Sequence, residues 1–451
     1  MYYIRLLRPA RIEGLIPSEH HRRRQNPSHP HRKGKANPNS PHLALLITIT
    51  TDLGDSFLYT DWAIGVELAV SAHAVDDEDE DDDDVDVDAE LLQRQAFRWT
   101  PGLRVLALRP RLRMHPARRE DLPARFRVTI SCPDPSQGEG GSEGEIVPLT
   151  VEMRGAACAP VSLRTLQGPA QELCFEEDIG ESIARHVWDA GVVAARMFLR
   201  GEMEAGELLR GKGASVLELG CGVGVLGICV AAAMESAAAA AAASTLRNTD
   251  GGGGGGGGGG SSSDGDGERT QSTILLTDLP EAEDRARANL SRADVALTNI
   301  ALTRGAPEDS SEALRATRLR YENLDWDEGR QGRFGPLVGA GAPWDLVVLS
   351  DCTYNADSLP ALVGTLSALH GVSVAAAAKR DEGREGEEKG EFKSTVLLAT
   401  KPRHESEKAL FGLLDKEGWR HRLWKSIPLP NMAGEDEVVE IYLLEKGRRD
   451  G

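Results

Sequence analysis

Val216-Leu-Glu-Leu-Gly-Cys-Gly-Val-Gly-Val-Leu-Gly227 is the stretch on which the fold turns. Residues 215–219 read as a short apolar strand, and residues 223–234 as a helix. Between them stand Gly220, Gly222 and Gly224. Glycines at that spacing suit a tight turn whose backbone must approach a ligand closely. The helix that follows offers unpaired N–H groups at its start, a favourable place for polar or anionic atoms.

The rhythm continues outward on both sides. Strands are expected at 273–277, 320–323, 344–350 and 395–400, alternating with helices at 281–292, 358–370 and 406–417. A further helix is expected at 183–199, just before the glycine strand. Two strands, 420–427 and 438–445, close the chain around the turn-like PNMAGEDE. Strand–helix alternation predicts a mostly parallel sheet covered on both faces. The short final link predicts that the last strand runs antiparallel. Upstream, residues 43–50, 103–108, 125–130, 146–152 and 172–175 read as strands of a β-rich region.

The chain has 451 residues, enough for two domains or one with insertions. Residues 1–42 carry nine Arg and Lys against Glu13 and Glu19, with frequent His and Pro, and read as a basic disordered arm. A mitochondrial presequence is the alternative, although the Pro-rich stretch 27–41 opposes an amphipathic helix. Residues 43–180 form the β-rich region. It is interrupted by an acidic insertion at 76–90, whose 12 carboxylates account for most of the formal charge of −19. That tract reads as a solvated loop, with docking of a basic partner as the second reading. Residues 181–446 form the α/β domain, with flexible insertions expected at about 236–271 (seven alanines, then ten consecutive glycines) and 379–391. A milder insertion is expected near 303–317.

Some functions are disfavoured. Outside the acidic tract the charge is mild, which gives no footprint for nucleic acid. No apolar run reaches the roughly 18 residues of a bilayer span. The six cysteines form no C-x-x-C pair, and neither His spacing nor H-E-x-x-H marks a metal site. A reducing compartment, cytosol or nucleus, is the simplest expectation.

The glycine segment satisfies two fingerprints. Gly222, Gly224 and Gly227 fit G-x-G-x-x-G, the dinucleotide pattern. Glu218, Gly220, Gly222 and Gly224 fit E-x-G-x-G-x-G, which resembles the first motif of class I methyltransferases. Asp278, in LLTDLPE, ends the next strand, where a carboxylate can accept bonds from both ribose hydroxyls. It lies 56 positions beyond Gly222; without about 34 inserted residues, roughly 20 remain, as such folds require. Both cofactor classes use this arrangement.

The flanks separate them. ARHVWDAG (184–191), ELGCGVG with LLTDLPE, LDW (324–326) and WDLVVLSDCTYN (344–355) together resemble the seven-strand protein-lysine methyltransferases that modify elongation factors and chaperones. Fungal relatives labelled nicotinamide N-methyltransferases share the pattern, and LALLITITTDLGDSFLYTDW (43–62) is similar to their N-terminal region. The resemblance covers about 181–446. It implies a Rossmann-like seven-stranded sheet, S-adenosylmethionine as cofactor, and a protein substrate such as a translation factor or chaperone. Trp188 would lie near the cofactor. Gly220, Cys221 and Gly222 would cradle its methionine end, with Glu218 and Gly224 completing the motif. Asp278 would hold the ribose, Trp326 would flank the adenine, and Ser350 would add a contact at the strand end.

Asp351-Cys-Thr-Tyr354 fits the family's D-x-x-Y/F motif at the carboxyl end of a strand, where open sheets place their chemistry. It is also similar to the N/D-P-P-Y/F motif of amino-group methylases, with Cys352 and Thr353 in place of the prolines. Asp351 would attract and orient an amine, and the Tyr354 ring would face it by a cation–π contact worth roughly 0.5–2 kcal/mol. The bland readings are a strand-end cap for Asp351 and core packing for the tryptophans. A small-molecule N-methyltransferase and a non-catalytic module of the same fold are the competing functions.

Overall fold

Strand Arg125–Ser131 shows why the N-terminal region is a sheet: Phe126, Val128 and Ile130 are buried while the residues between them are not. That two-residue alternation is the signature of a sheet packed on one face. The computed structural model describes residues 1–13, 41–72, 90–112, 125–133, 146–168, 172–180, 183–202, 208, 213–249, 271–302, 315–382, 392, 394–429 and 437–446. They belong to two units. The first is Met1–Arg164 with Asp178–Glu181 and Pro430–Glu435; the second is Thr165–Glu177, Ser182–Leu429 and Asp436–Gly451.

The first unit is built from β1 (Tyr2–Leu6), β2 (Arg11–Glu13), β3 (His42–Thr50), β4 (Ile64–Ala72), β5 (Glu90–Trp99), β6 (Leu106–Leu108), β7 (Arg125–Ser131), β8 (Ile146–Val147), β9 (Leu149–Arg154) and β10 (Ala157–Gln167). Nine of them follow the order β5-β4-β7-β9-β10-β2-β3-β1-β8, with β6 beside β3. Two expectations are corrected here. Residues 1–42 are not a disordered arm throughout: Tyr2, Tyr3 and Ile4 are buried, and β1 pairs antiparallel with β3. The arginines conceal this, because they alternate with or flank the buried side chains. The strands β4, β5 and β10, which the sequence pattern did not reveal, complete the sheet. Residues 14–40 of the expected arm and 76–89 of the acidic tract lie outside the described residues.

The second unit opens with β11 (Glu172–Asp178), so the division falls at Arg164 rather than near 180. Glu176 explains it: its carboxylate binds Arg285 and Arg292, and its backbone exchanges two hydrogen bonds with the buried Asn289. There follow α1 (Asp189–Leu199), β12 (Ser215–Leu219), α2 (Val225–Thr249), β13 (Ser272–Asp278), α3 (Pro280–Leu302), β14 (Thr317–Asn323), α4 (Trp326–Gly329), α5 (Pro336–Ala340), β15 (Leu346–Ser350), α6 (Leu359–Glu382), β16 (Thr395–Thr400), α7 (Ala409–Lys416), β17 (Trp419–Pro428) and β18 (Val438–Lys446).

Strands β12 to β18 form one sheet in the order β14-β13-β12-β15-β16-β18-β17, with β18 antiparallel to both neighbours and the other pairs parallel, while β11 pairs with β10. The order reverses between β12 and β15, the switch point where open sheets bind ligands. Leu217 and Leu219 of β12 join a core with Val347, Leu349, Leu398, Trp344 and Trp419. Burying an apolar side chain of that size contributes about 1.5–3 kcal/mol. Val216 and Glu218 point to the other face by the same alternation.

The segment 236–271 is not a loop from its start: α2 runs on to Thr249. Its seven alanines are the best helix formers available, and low complexity concealed that propensity. Likewise α6 extends to Glu382, into the second expected insertion. Residues 250–270, 303–314, 383–391 and 430–436 lie outside the described residues. Contrary to the expectation from apolar runs, Val225–Ser244 and Ala356–Lys379 are helical and long and apolar enough, by length and composition, to cross a membrane. Leu226, Ile228, Cys229 and Val230 of the first are buried, as are Leu362, Val363 and Leu366 of the second, so both serve as core helices.

Candidate functional site

The loop after β12 needs its glycines for identifiable reasons. Gly220, Gly222 and Gly224 have φ of +65°, +55° and +85°, conformations that side chains resist. A Cβ on Gly220 would lie 2.6 Å from Sγ of Cys352 and 3.2 Å from the Trp326 ring. A Cβ on Gly222 would enter the space under the Ala184 carbonyl at 3.4 Å. Gly227 is required for another reason, since its Cβ would strike the Glu218 carboxylate at 2.5 Å. The third glycine of the dinucleotide pattern is therefore explained by packing within the chain.

Glu218 is buried beneath this loop. Oε2 accepts the Gly227 N–H at 2.9 Å, tying β12 to the start of α2, while Oε1 has no hydrogen-bond partner among the described residues. Burial pushes its carboxyl up to about 8. Asp278 closes β13 from the side. Its Oδ2 accepts the Gly222 N–H at 2.6 Å and its Oδ1 the Leu279 N–H at 2.7 Å. Burial raises its pKa, and the two N–H bonds oppose that rise.

Trp326 reaches the loop because the end of β14 is anchored. The Leu324 N–H donates to the Asp278 carbonyl at 2.9 Å, and Asp325 caps α4 through the Asp327 N–H at 2.8 Å. Thr365 of α6 donates to the Trp326 carbonyl at 3.0 Å. Cys221 and Cys352 are both buried; burial and nearby carboxylates push both thiols up, so neither is a ready nucleophile.

The second corner lies after β15. Asp351 adopts φ +51°, unusual for a residue with a side chain. Its Oδ2 accepts the Ala190 N–H at 2.8 Å, at the start of α1; its Oδ1 faces the Lys401 N–H and Arg403 Nη2, both at 3.4 Å. The strand-end cap is thus part of what Asp351 does. Ser350 packs against α1, where a Cβ on Gly191 would lie 3.2 Å from its Oγ. Tyr354 is 55% exposed and burial of the remainder raises its pKa. Trp188 is half-buried, with Nε1 donating to the Ile183 carbonyl at 2.9 Å.

The structure therefore gathers Gly220, Cys221, Gly222, Asp278 and Trp326 at one corner, and Trp188, Ser350 and Asp351 at the next. Glu218 lies beneath the first corner and Gly224 shapes its turn against Leu276. Sequence reasoning missed several residues here. Lys401 is buried between Asp189, at 2.9 Å, and Glu437, at 3.0 Å. Buried Thr353 donates to Glu407 at 2.8 Å. Arg403 lies over the Trp188 ring, 5.6 Å from its centre. A signal existed: Lys401 and Arg403 sit just past the carboxyl end of β16, next to β15. Among the described residues, no three His, Cys, Asp or Glu converge to hold a metal ion.

A sheet of this order with one antiparallel strand, and a glycine loop and a strand-end carboxylate at its switch point, defines the class I S-adenosylmethionine-dependent methyltransferases. The model of the lysine methyltransferase family matches residues 167–245 and 252–417, more than half of the chain, and the chain belongs to that family. A UPF0665 family protein of Schizosaccharomyces pombe is 42% identical over 74 residues, 15% of this chain and 22% of that protein. The match thus spans about a fifth of that relative's length.

Among solved structures, the magnesium protoporphyrin IX methyltransferase ChlM of Synechocystis aligns at 12% identity, covering 57% of this chain and 82% of that one, with a TM-score of 0.27. TYW2 of Pyrococcus horikoshii aligns at 10% identity over 64% and 72%, with a TM-score of 0.30. An O-methyltransferase family protein of Burkholderia thailandensis aligns at 12% over 58% and 60%, with a TM-score of 0.27.

Proposed function

We propose that this chain methylates lysine side chains of a protein substrate, in the cytosol or nucleus. The observation that carries the reading is the lysine methyltransferase match together with a carboxylate, Asp351, three residues before the exposed ring of Tyr354. The residues of the first corner fit the cofactor. Left-handed glycines keep positions 220, 222 and 224 free of side chains, the Asp278 carboxylate suits two ribose hydroxyls, and Trp326 offers an aromatic wall. When bound, S-adenosylmethionine supplies a methyl group already activated by its sulfonium charge.

The chain's own residues then have to position and to manage charge. Gly220, Gly222, Asp278 and Trp326 hold the donor; Trp188 and Ser350 border it. Asp351 and Tyr354 orient the amine. A lysine has a pKa near 10.4 in water, so at pH 7 only about one in a few thousand is neutral. The site has to accept the amine and let its proton leave to water before transfer.

The test is transfer of label from radiolabelled S-adenosylmethionine into extract of the source cells. Wild type is compared with Asp351→Asn, which keeps an acceptor for the Ala190 N–H. Label in a discrete protein band, recovered as methyl-lysine and absent with the variant, is the expected result. Label confined to small molecules would overturn the protein reading and favour the small-molecule enzyme.

A further inference from the structure

Arg403 is held in place by the motif residues themselves. Glu407 accepts the backbone N–H groups of Arg403 and His404, each at 3.0 Å, through one oxygen. Its other oxygen accepts from Thr353, the third residue of the DCTY motif, and Thr353 in turn bonds Thr400 at 2.8 Å. This buried chain sets the loop after β16 so that the guanidinium reaches both Trp188 and Asp351. The Arg403 side chain is 15% exposed and that of Asp351 8%. An aromatic face and a carboxylate are the pair of groups that recognise an alkylammonium. Here a cation of the chain already stands against both.

We propose that Arg403 is a positioning residue that makes the acceptor site take lysine as the neutral amine, by balancing the Asp351 charge where the amine docks. The inference rests on the lysine reading above. A lone carboxylate favours the ammonium, which has no lone pair to accept a methyl group; a carboxylate paired with a guanidinium favours it far less. The neutral amine nitrogen forms its bond to the methyl carbon as the methyl–sulfur bond breaks, and the methylated ammonium then sheds a proton to water.

Other groups around Asp351 leave this balance in place. Lys401, on the same loop, is held between Asp189 of α1 and Glu437 ahead of β18. Asp278 acts on Cys352 and Tyr354 from the end of β13. Burial, with Asp278 adding to it, pushes the Cys352 thiol and the Tyr354 phenol up and keeps both protonated near neutral pH.

The experiment is the rate of label transfer into extract protein, at saturating cofactor, from about pH 6.5 to 10, for wild type, Arg403→Met and Arg403→Lys. The expected result for Arg403→Met is a rate–pH curve moved about one to two units to higher pH. The loss at pH 7.5 would then be about tenfold or more and recover in alkali. Arg403→Lys keeps the wild-type curve. A uniform loss at every pH, or a loss traced by calorimetry to weaker cofactor binding, overturns the proposal. Hydrolysis of the product separates the two readings: label on another amine sinks the lysine reading, while the same comparison of curves still decides Arg403. If wild type transfers nothing, n-butylamine is titrated into protein loaded with S-adenosylhomocysteine. Affinity rising with pH in wild type but not in Arg403→Met supports the proposal; equal dependence, or no binding, overturns it.

Discussion

Asp278 and Asp351 stand on either side of the same glycine loop, at the ends of the two strands that flank β12, yet they are held in opposite ways. Asp278 is satisfied by backbone, the N–H groups of Gly222 and Leu279. Burial raises its pKa. Asp351 caps α1 through Ala190 and faces a guanidinium. A carboxylate fixed by N–H groups is suited to accept further hydroxyl bonds. One paired with a cation is suited to meet a charged or chargeable group without trapping it. On the proposed function, the difference separates a donor-holding corner from an acceptor-orienting corner, although both residues are aspartates at strand ends.

The comparison can be broken most severely at the loop the two corners share. Gly220→Ala places a Cβ against Cys352 in a left-handed conformation. Cofactor affinity, measured by calorimetry, is expected to fall at least ~100-fold, the effect of about 3 kcal/mol of strain. Unchanged affinity would show that the loop yields. Next, Asp351→Asn is expected to lower kcat at least ~100-fold, the scale of removing one charge-stabilising group. The same variant should bind cofactor within a few-fold of wild type; a large loss of cofactor binding would move Asp351 to the other corner.

Asp278→Asn is expected to do the reverse. Cofactor affinity should weaken about tenfold or somewhat more, as for loss of bonds to a charged acceptor, with kcat nearly unchanged at saturation. A kcat effect as large as that of Asp351→Asn would erase the distinction between the corners.

The smallest effect concerns Glu218, which lies beneath the first corner. Its folded pKa, about 8, is above the ordinary 4.5, so its contribution to stability is complete below the ordinary value and is lost as pH rises through about 8. Glu218→Gln imitates the protonated form. Its melting temperature should equal that of wild type near pH 5 and exceed it by a few degrees at pH 9. Parallel curves across that range would show that the folded carboxyl ionises at its ordinary value and that burial does not raise its pKa.

Much of the first corner was legible in the sequence because its parts are close along the chain. Gly220, Gly222 and Gly224 declare a strained turn by residue type, and Asp278 follows at the spacing of one strand–helix–strand unit once the insertion is removed. Trp326 was marked only by resemblance, since its approach to Gly220 depends on the bond from Leu324 to the Asp278 carbonyl. The second corner was legible in part. Asp351 and Tyr354 stood out at a strand end, but Lys401 and Asp189 are 212 positions apart. Charges so far separated give no local pattern, and KPRHE reads as an ordinary polar loop.

By itself the sequence determined the strand–helix rhythm, the antiparallel last strand and the glycine turn, because period, propensity and φ preference are local properties of residues. It misjudged the arm, where β1 exists through pairing with β3 and β8, and the alanine tract, which continues a helix. Only the tertiary structure decided which charges meet. Ion pairs and hydrogen bonds depend on distance in space, and the sheet order brings β12, β13, β15 and β16 side by side from segments far apart in the chain. That juxtaposition sets Arg403 against Asp351 and leaves Asp278 to backbone N–H groups.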